Sequence, residues 1–142
     1  MKWVALLALF KRVNWKLGRR IVPLFKEENL TPTEMVVMLL VSKKDKCAIT
    51  KMADYLGVPF STFTEVLDRL ESKGLIERIP NPKSRRSMLV ISTSSGLELL
   101  DKIERKIEMK MEEIFKELSE DTYHQIFNVL NALNEYLNNE GV

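Results

Sequence analysis

The sequence predicts a mainly α protein with one small β-hairpin, an α+β arrangement. Three observations carry that reading. Apolar residues recur at steps of three and four through most of the 142 residues, as amphipathic helices require. Hydroxyl residues stand just ahead of these periodic segments, where helix caps belong. Two short runs, GLIERI (Gly74 to Ile79) and SMLVIS (Ser87 to Ser92), instead read as strands around the turn PNPKSRR.

The elements follow in order. Trp3, Leu6, Phe10, Val13, Leu17, Ile21 and Leu24 line one face of a first helix, with Pro23 a candidate kink near its end. In LTPTE, Thr31 caps, Pro32 takes the first helical position and Glu34 completes a capping box. A helix over 32–42 follows, carrying Met35, Val36, Met38, Leu39 and Leu40 and ending in the charged SKKDK. ITKMADYLG predicts a short helix capped by Thr50 and stopped by Gly57. STFTEVLDRLESKG predicts another, ending at Gly74. Two short helices joined around a glycine make a helix-turn-helix. After the hairpin, Thr93 caps a long helix over 94–118, where Leu100, Ile103, Ile107, Met111, Ile114 and Leu118 keep heptad-like spacing. Ser119 caps a last helix with Tyr123, Ile126, Phe127, Leu130, Leu133 and Leu137 on one face, and its NNEGV end reads as frayed.

One hairpin cannot form a core alone, so it must lie against the helix-turn-helix, which gives a winged helix-turn-helix head over 30–92. The flanking segments 1–28 and 119–142 carry more apolar stripe than this head can cover. They read as dimerisation helices, with 94–118 connecting, all within a single domain over 1–142 that has no repeat or linker.

The net charge of +2 is small, but its distribution is uneven. Residues 1–42 hold 7 basic and 3 acidic groups, residues 43–90 hold 10 and 6, and residues 91–142 hold 5 and 11. The first two segments are therefore each +4 and the last is −6, so an anionic partner suits part of the molecule. The single cysteine, Cys47, excludes an internal disulfide and fits a reducing cytoplasm. The opening MKWVALLALFKRVNWK has the outline of a signal peptide, but its apolar run is short, no small-residue cleavage site follows, and Lys11, Arg12 and Lys16 interrupt it. No stretch approaches the roughly 20 apolar residues of a membrane span, so no membrane partner is expected.

Enzyme chemistry finds little support. The one histidine, His124, has apolar helical neighbours and no ligand partner, and reads as a surface or core-edge residue. Scattered glycines form no phosphate-cradling loop. The acids between Glu98 and Asp121 alternate with lysines as a solvated face does. No nucleophile–base pair, metal site or cofactor is implied.

The helix-turn-helix does carry a function, because its second helix enters the DNA major groove by its N-terminal turn. Phe63, Val66, Leu67 and Leu70 fall on the inner side; Ser61, Thr62, Glu65, Asp68 and Arg69 point outward, with Thr64 at the boundary. Small hydroxyls suit phosphate and base contacts, though Ser61 and Thr62 serve equally well as helix caps. Glu65 can accept from cytosine N4 but is repelled by phosphates. Lys83, Arg85 and Arg86 suit a solvated turn or, beside a helix-turn-helix, insertion into the minor groove. Pro80 and Pro82 restrict that loop, so less entropy is lost when its tip binds.

With these residues in view, LTPTEMVVMLL followed by ITKMADYLGVPFSTFTEVLDRLESKGLIERIPNPKSRRSMLVISTSSGLELL resembles the MarR family of transcription regulators, from Leu30 to about Leu100. The resemblance implies a dimeric winged helix, joined through its N- and C-terminal helices, that represses genes from palindromic operators. It also implies release by small ligands such as phenolic anions, or by oxidants in some members. It puts Ser61, Thr62, Thr64 and Glu65 on the recognition helix and matches Arg86 to the wing arginine of the minor groove. The chain departs from the family at three places. Asn81 and Ser84 stand where wing aspartates are usual, Glu65 replaces a basic residue, and Pro59 replaces a capping hydroxyl.

The expected function is a cytoplasmic, sequence-specific DNA-binding regulator, a homodimeric repressor on double-stranded DNA. Its candidate contacts are Lys51, Ser61, Thr62, Thr64, Glu65, Arg69, Lys83, Arg85 and Arg86. A small aromatic or anionic effector is implied, with Phe10, Trp15, Met35 and Met38 lining its pocket or else forming plain core. Two alternatives stand beside this reading: a winged-helix module that binds an acidic protein, and a redox sensor using Cys47 in its charged loop.

Overall fold

The computed structural model describes residues 1–43 and 47–139. The elements run α1 (Lys2–Glu27), α2 (Pro32–Lys43), β1 (Cys47–Ala48), α3 (Ile49–Leu56), α4 (Phe60–Ser72), β2 (Ile76–Asn81), β3 (Ser84–Ser92), α5 (Ser94–Ile114) and α6 (Glu120–Asn139). They fall into two compact units, 1–110 and 111–142.

The first unit holds the core. Phe63, Val66, Leu67 and Leu70 of α4 pack with Met35, Val37, Met38 and Val41 of α2, Ile49, Met52 and Ala53 of α3, Val90 of β3, and Leu100 and Ile103 of α5. The inward face expected for α4 is the one observed. α2 is apolar on nearly every side because it is surrounded, and its capping box forms: the Glu34 amide donates to Thr31 Oγ1 at 3.1 Å, and that hydroxyl donates to Glu34 Oε1 at 3.2 Å.

Three helix stops use backbone conformations that few residues tolerate. Asn29 (φ 58°), Gly57 (φ 64°) and Gly74 (φ 72°) end α1, α3 and α4 in the left-handed region. α1 runs on through Pro23 to Glu27. Thr93 joins the wing to α5: its hydroxyl donates to the Gly74 carbonyl at 2.6 Å and accepts the Gly96 amide at 3.1 Å. Gly96 allows that approach, since a Cβ there would lie 2.1 Å from the Leu75 carbonyl oxygen.

Several boundaries differ from expectation. The sheet has three antiparallel strands in the order β1-β3-β2, and the sequence did not announce β1. Cys47 pairs with Val90 and Ala48 with Leu89, so Cys47 stands in a strand and not in a loop; Lys44, Asp45 and Lys46 lie outside the described residues. This pairing carries the chain directly into α3, so Thr50 is the second residue of the helix and not its cap. The long helix stops at Ile114, before Leu118, and residues 115–118 form a turn.

The second unit comprises the end of α5, that turn and α6. Ser119 caps α6 as expected, accepting the Thr122 amide at 3.1 Å. His124 is exposed, 3.9 Å from a Glu120 carboxylate oxygen. Of the end expected to fray, NNEGV, Asn138 and Asn139 still belong to α6, and residues 140–142 lie outside the described residues. No helix among the described residues is long and apolar enough to cross a membrane.

A buried carboxylate ties the head together. Glu34 is 1% exposed, and Lys73 Nζ at the end of α4 reaches it at 2.7 Å while also donating to the Asn29 carbonyl at 2.6 Å. Arg69 Nε adds a second cation at 3.5 Å. Burial alone would raise the Glu34 pKa, but the Lys73 hydrogen bond and charge, the Thr31 hydroxyl and Arg69 outweigh it and hold the carboxyl below its ordinary value. A lowered folded-state pKa stabilises the protein above the unfolded value of about 4.3, and that stabilisation is lost as pH falls through the folded value. We expect Glu34→Gln to flatten the acid limb of stability against pH in denaturant titrations. Lys73→Met should lower stability by about 3 kcal/mol at neutral pH by leaving Glu34 buried with its closest charge partner removed.

Candidate nucleic-acid interface

The outer face of α4 begins with an uncapped turn. Pro59, at the N-cap (φ −56°, ψ 142°), offers no side-chain acceptor, and its carbonyl takes the Phe63 amide at 3.0 Å. Ser61 and Thr62 therefore lie inside the helix, exposed, which removes the capping role considered for them. Thr64 is half-buried, and its hydroxyl is committed to the Phe60 carbonyl at 2.9 Å. Ser61 and Glu65, one turn apart, share an exposed stripe. Arg69, counted among the DNA contacts, leans toward Glu34 with half of its side chain still exposed. Lys51 is exposed on α3.

The wing is fastened to α4 at its base. Arg78 of β2 donates from Nη2 to Asp68 Oδ1 and from Nε to Glu71 Oε2, both at 2.6 Å. Partial burial works against this cation, but the two carboxylates more than offset it and raise its pKa. With Ser72, these side chains line a shallow cleft of about 310 Å³.

At the tip, β2 and β3 pair regularly from Ile76↔Ser92 to Pro80↔Met88, then slip to Asn81↔Ser84. Arg85, Arg86 and Ser87 therefore have no opposite number on β2, and the two arginines sit on an irregular, splayed segment. Pro80 contributes to the slip, having no amide to donate. Asn81 organises the turn: its Oδ1 accepts the Lys83 amide at 3.0 Å and its Nδ2 donates to Ser87 Oγ at 2.8 Å. Asn81, which stands where the family usually has an aspartate, thus fixes the turn backbone with a neutral amide. Lys83, Arg85 and Arg86 are exposed, and no ion pair among the described residues engages them.

Phe10, Trp15, Met35 and Met38 do not enclose a common pocket within the protomer. Met35 and Met38 are core, each 1% exposed, whereas Phe10 and Trp15 are 54% and 60% exposed on α1. Arg19 lies over the Trp15 ring, 5.0 Å from its centroid. No cluster of potential metal ligands occurs among the described residues.

Sequence reasoning missed Arg78, the organising role of Asn81, and Phe60, an exposed aromatic at the start of α4. Asn-Pro at the first two turn positions was a readable signal for Asn81. Arg78 had none, because its partners depend on how β2 packs against α4.

A helix-turn-helix whose exposed second helix is bolted to a cationic hairpin defines a winged helix-turn-helix protein. A MarR family profile matches residues 30–88. The chain is 30% identical over 105 residues to the uncharacterized HTH-type transcriptional regulator YkoM of Bacillus subtilis, spanning 74% of this chain and 68% of that one. It is 28% identical over 114 residues to the multiple antibiotic resistance protein MarR of Salmonella typhimurium, spanning 80% and 79%. Among solved structures, a cysteine-to-serine variant of E. coli MarR complexed with operator DNA superposes with a TM-score of 0.77 at 25% identity, covering 93% of this chain and 95% of that one. The chain belongs to the MarR family and is a transcriptional regulator of that family.

The wing turn makes its own prediction. Asn81→Ala should accelerate hydrogen exchange at the Lys83 amide while leaving global stability nearly unchanged, whereas Asn81→Asp, which keeps the acceptor, should preserve protection there.

Proposed function

We propose that this protein is a sequence-specific DNA-binding regulator of the cytoplasm, a homodimer that represses transcription from a palindromic operator. The observation that carries the reading is a hairpin tip whose three exposed cations meet no acid among the described residues, joined through Arg78 to a helix presenting Ser61, Thr62 and Glu65. The operator complex of the related MarR chain supports it. Release by a small aromatic or anionic ligand belongs to the same reading, acting through preference for one arrangement of the dimer over another.

The dimer reading rests on the apolar faces of α1 and α6, helices in which no residue is buried. α1 exposes Trp3, Leu6, Phe10 and Val13, and α6 exposes Tyr123, Phe127, Leu130 and Leu133. A second copy covers such stripes most economically. Sedimentation should give twice the 16.5 kDa chain mass, and Leu133→Glu should shift the equilibrium toward monomer.

A gel shift against the chain's own upstream DNA tests the main proposal. Arg86→Ala should weaken binding to all sequences and reduce the log–log salt slope by about 0.9 for each phosphate left without its cation. Unchanged affinity and slope would remove Arg86 from the interface. No shift at all, with a stable acidic protein partner recovered instead, would favour the protein-binding module.

A further inference from the structure

The exposed charges of α4 are unevenly engaged. Asp68 is held by Arg78 at 2.6 Å, and Arg69 leans on Glu34 at 3.5 Å. Glu65, midway along the same face, enters no ion pair or hydrogen bond among the described residues. Its neighbours one turn back are the hydroxyls of Ser61 and Thr62. With Arg69 drawn toward Glu34, the centre of this face presents, among the described residues, an unpartnered carboxylate and no unengaged cation.

We propose that Glu65 is a specificity-determining residue that selects a cytosine in the major groove of each half-site. The inference rests on the DNA-binding reading of α4. A free carboxylate facing the phosphate backbone is repelled, so it weakens binding to DNA in general. It is tolerated only where it meets a hydrogen-bond donor, and the donors on major-groove edges are cytosine N4 and adenine N6. Adenine carries the N7 acceptor beside its amino group, which opposes a carboxylate; cytosine presents its amino group with no acceptor on that edge. A single carboxylate therefore favours cytosine. The neutral hydroxyls of Ser61 and Thr62 leave that preference intact, since they donate or accept as the neighbouring base requires. Wing cations supply the attraction that α4 does not.

Site selection from a randomised duplex library with the full chain, followed by titration of the selected duplex, tests this. The wild-type consensus should contain a C·G pair in each half-site, and changing it should cost about tenfold in affinity. Glu65→Ala, an exposed substitution that leaves the core intact, should reduce that discrimination to less than about twofold and bind unrelated DNA more tightly than wild type. Glu65→Gln should shift the preference toward adenine, whose N6 and N7 match a carboxamide. A purely structural role for Glu65 would not produce opposite changes on selected and unrelated DNA. If Glu65→Ala keeps the wild-type base preference at every position, the inference is overturned while the DNA-binding reading stands. If wild type enriches no sequence, both fall.

Discussion

The head depends on one buried carboxylate. Glu34 sits in the first turn of α2, where the helix macrodipole already favours negative charge, and Thr31 gives it a reciprocal cap. Lys73 then reaches it from the far end of α4 and directs a second N–H to the carbonyl of Asn29, the left-handed residue that ends α1. A single ammonium thus joins the end of one helix, the start of the next and the end of a third. Loss of Lys73 is the costly change, because it strands the Glu34 carboxylate where water does not reach, whereas Lys73 and Arg69 are themselves partly exposed.

That cluster has consequences on the outer surface. It draws Arg69 toward Glu34 and so engages a cation of the exposed face of α4. Arg78 removes a second charge from play by neutralising Asp68 and Glu71 at the base of the wing. The wing charge that is exposed and without an ion pair among the described residues is at its tip, on a segment that the register slip after Pro80 leaves without partners on β2. Arg78 holds the hairpin to α4, while Lys83, Arg85 and Arg86 stay exposed and enter no ion pair among the described residues. The close approach of Gly96 to Leu75 and the double role of the Thr93 hydroxyl fix the other end of β3 to α5 in the same way.

Much of this was legible in the sequence because it depends on local rules. The Thr31–Glu34 box, the glycines at 57 and 74, the Thr93 and Ser119 caps and the inward stripe of α4 are each set by residues within a turn or two of one another. What escaped depends on distant partners. β1 is two residues long and exists only because β3 lies alongside it, and that pairing starts α3 earlier than the Thr50 signal suggests. Met35 and Met38 have the same composition whether they line a pocket or fill a core, and only the surrounding helices decide between the two.

Periodicity, capping chemistry and turn propensity act over a few residues. They were enough to set the class of fold, the order of the helices and the hairpin, the inward face of α4 and the place of the wing cations along the chain. Which of those charges remain free was settled in three dimensions. Arg69 and Arg78 look as available as Arg85 and Arg86 when read along the chain. Only the packing of α2 and β2 against α4 brings carboxylates to the first pair and, among the described residues, none to the second, because Coulombic pairing depends on separation in space and not along the chain.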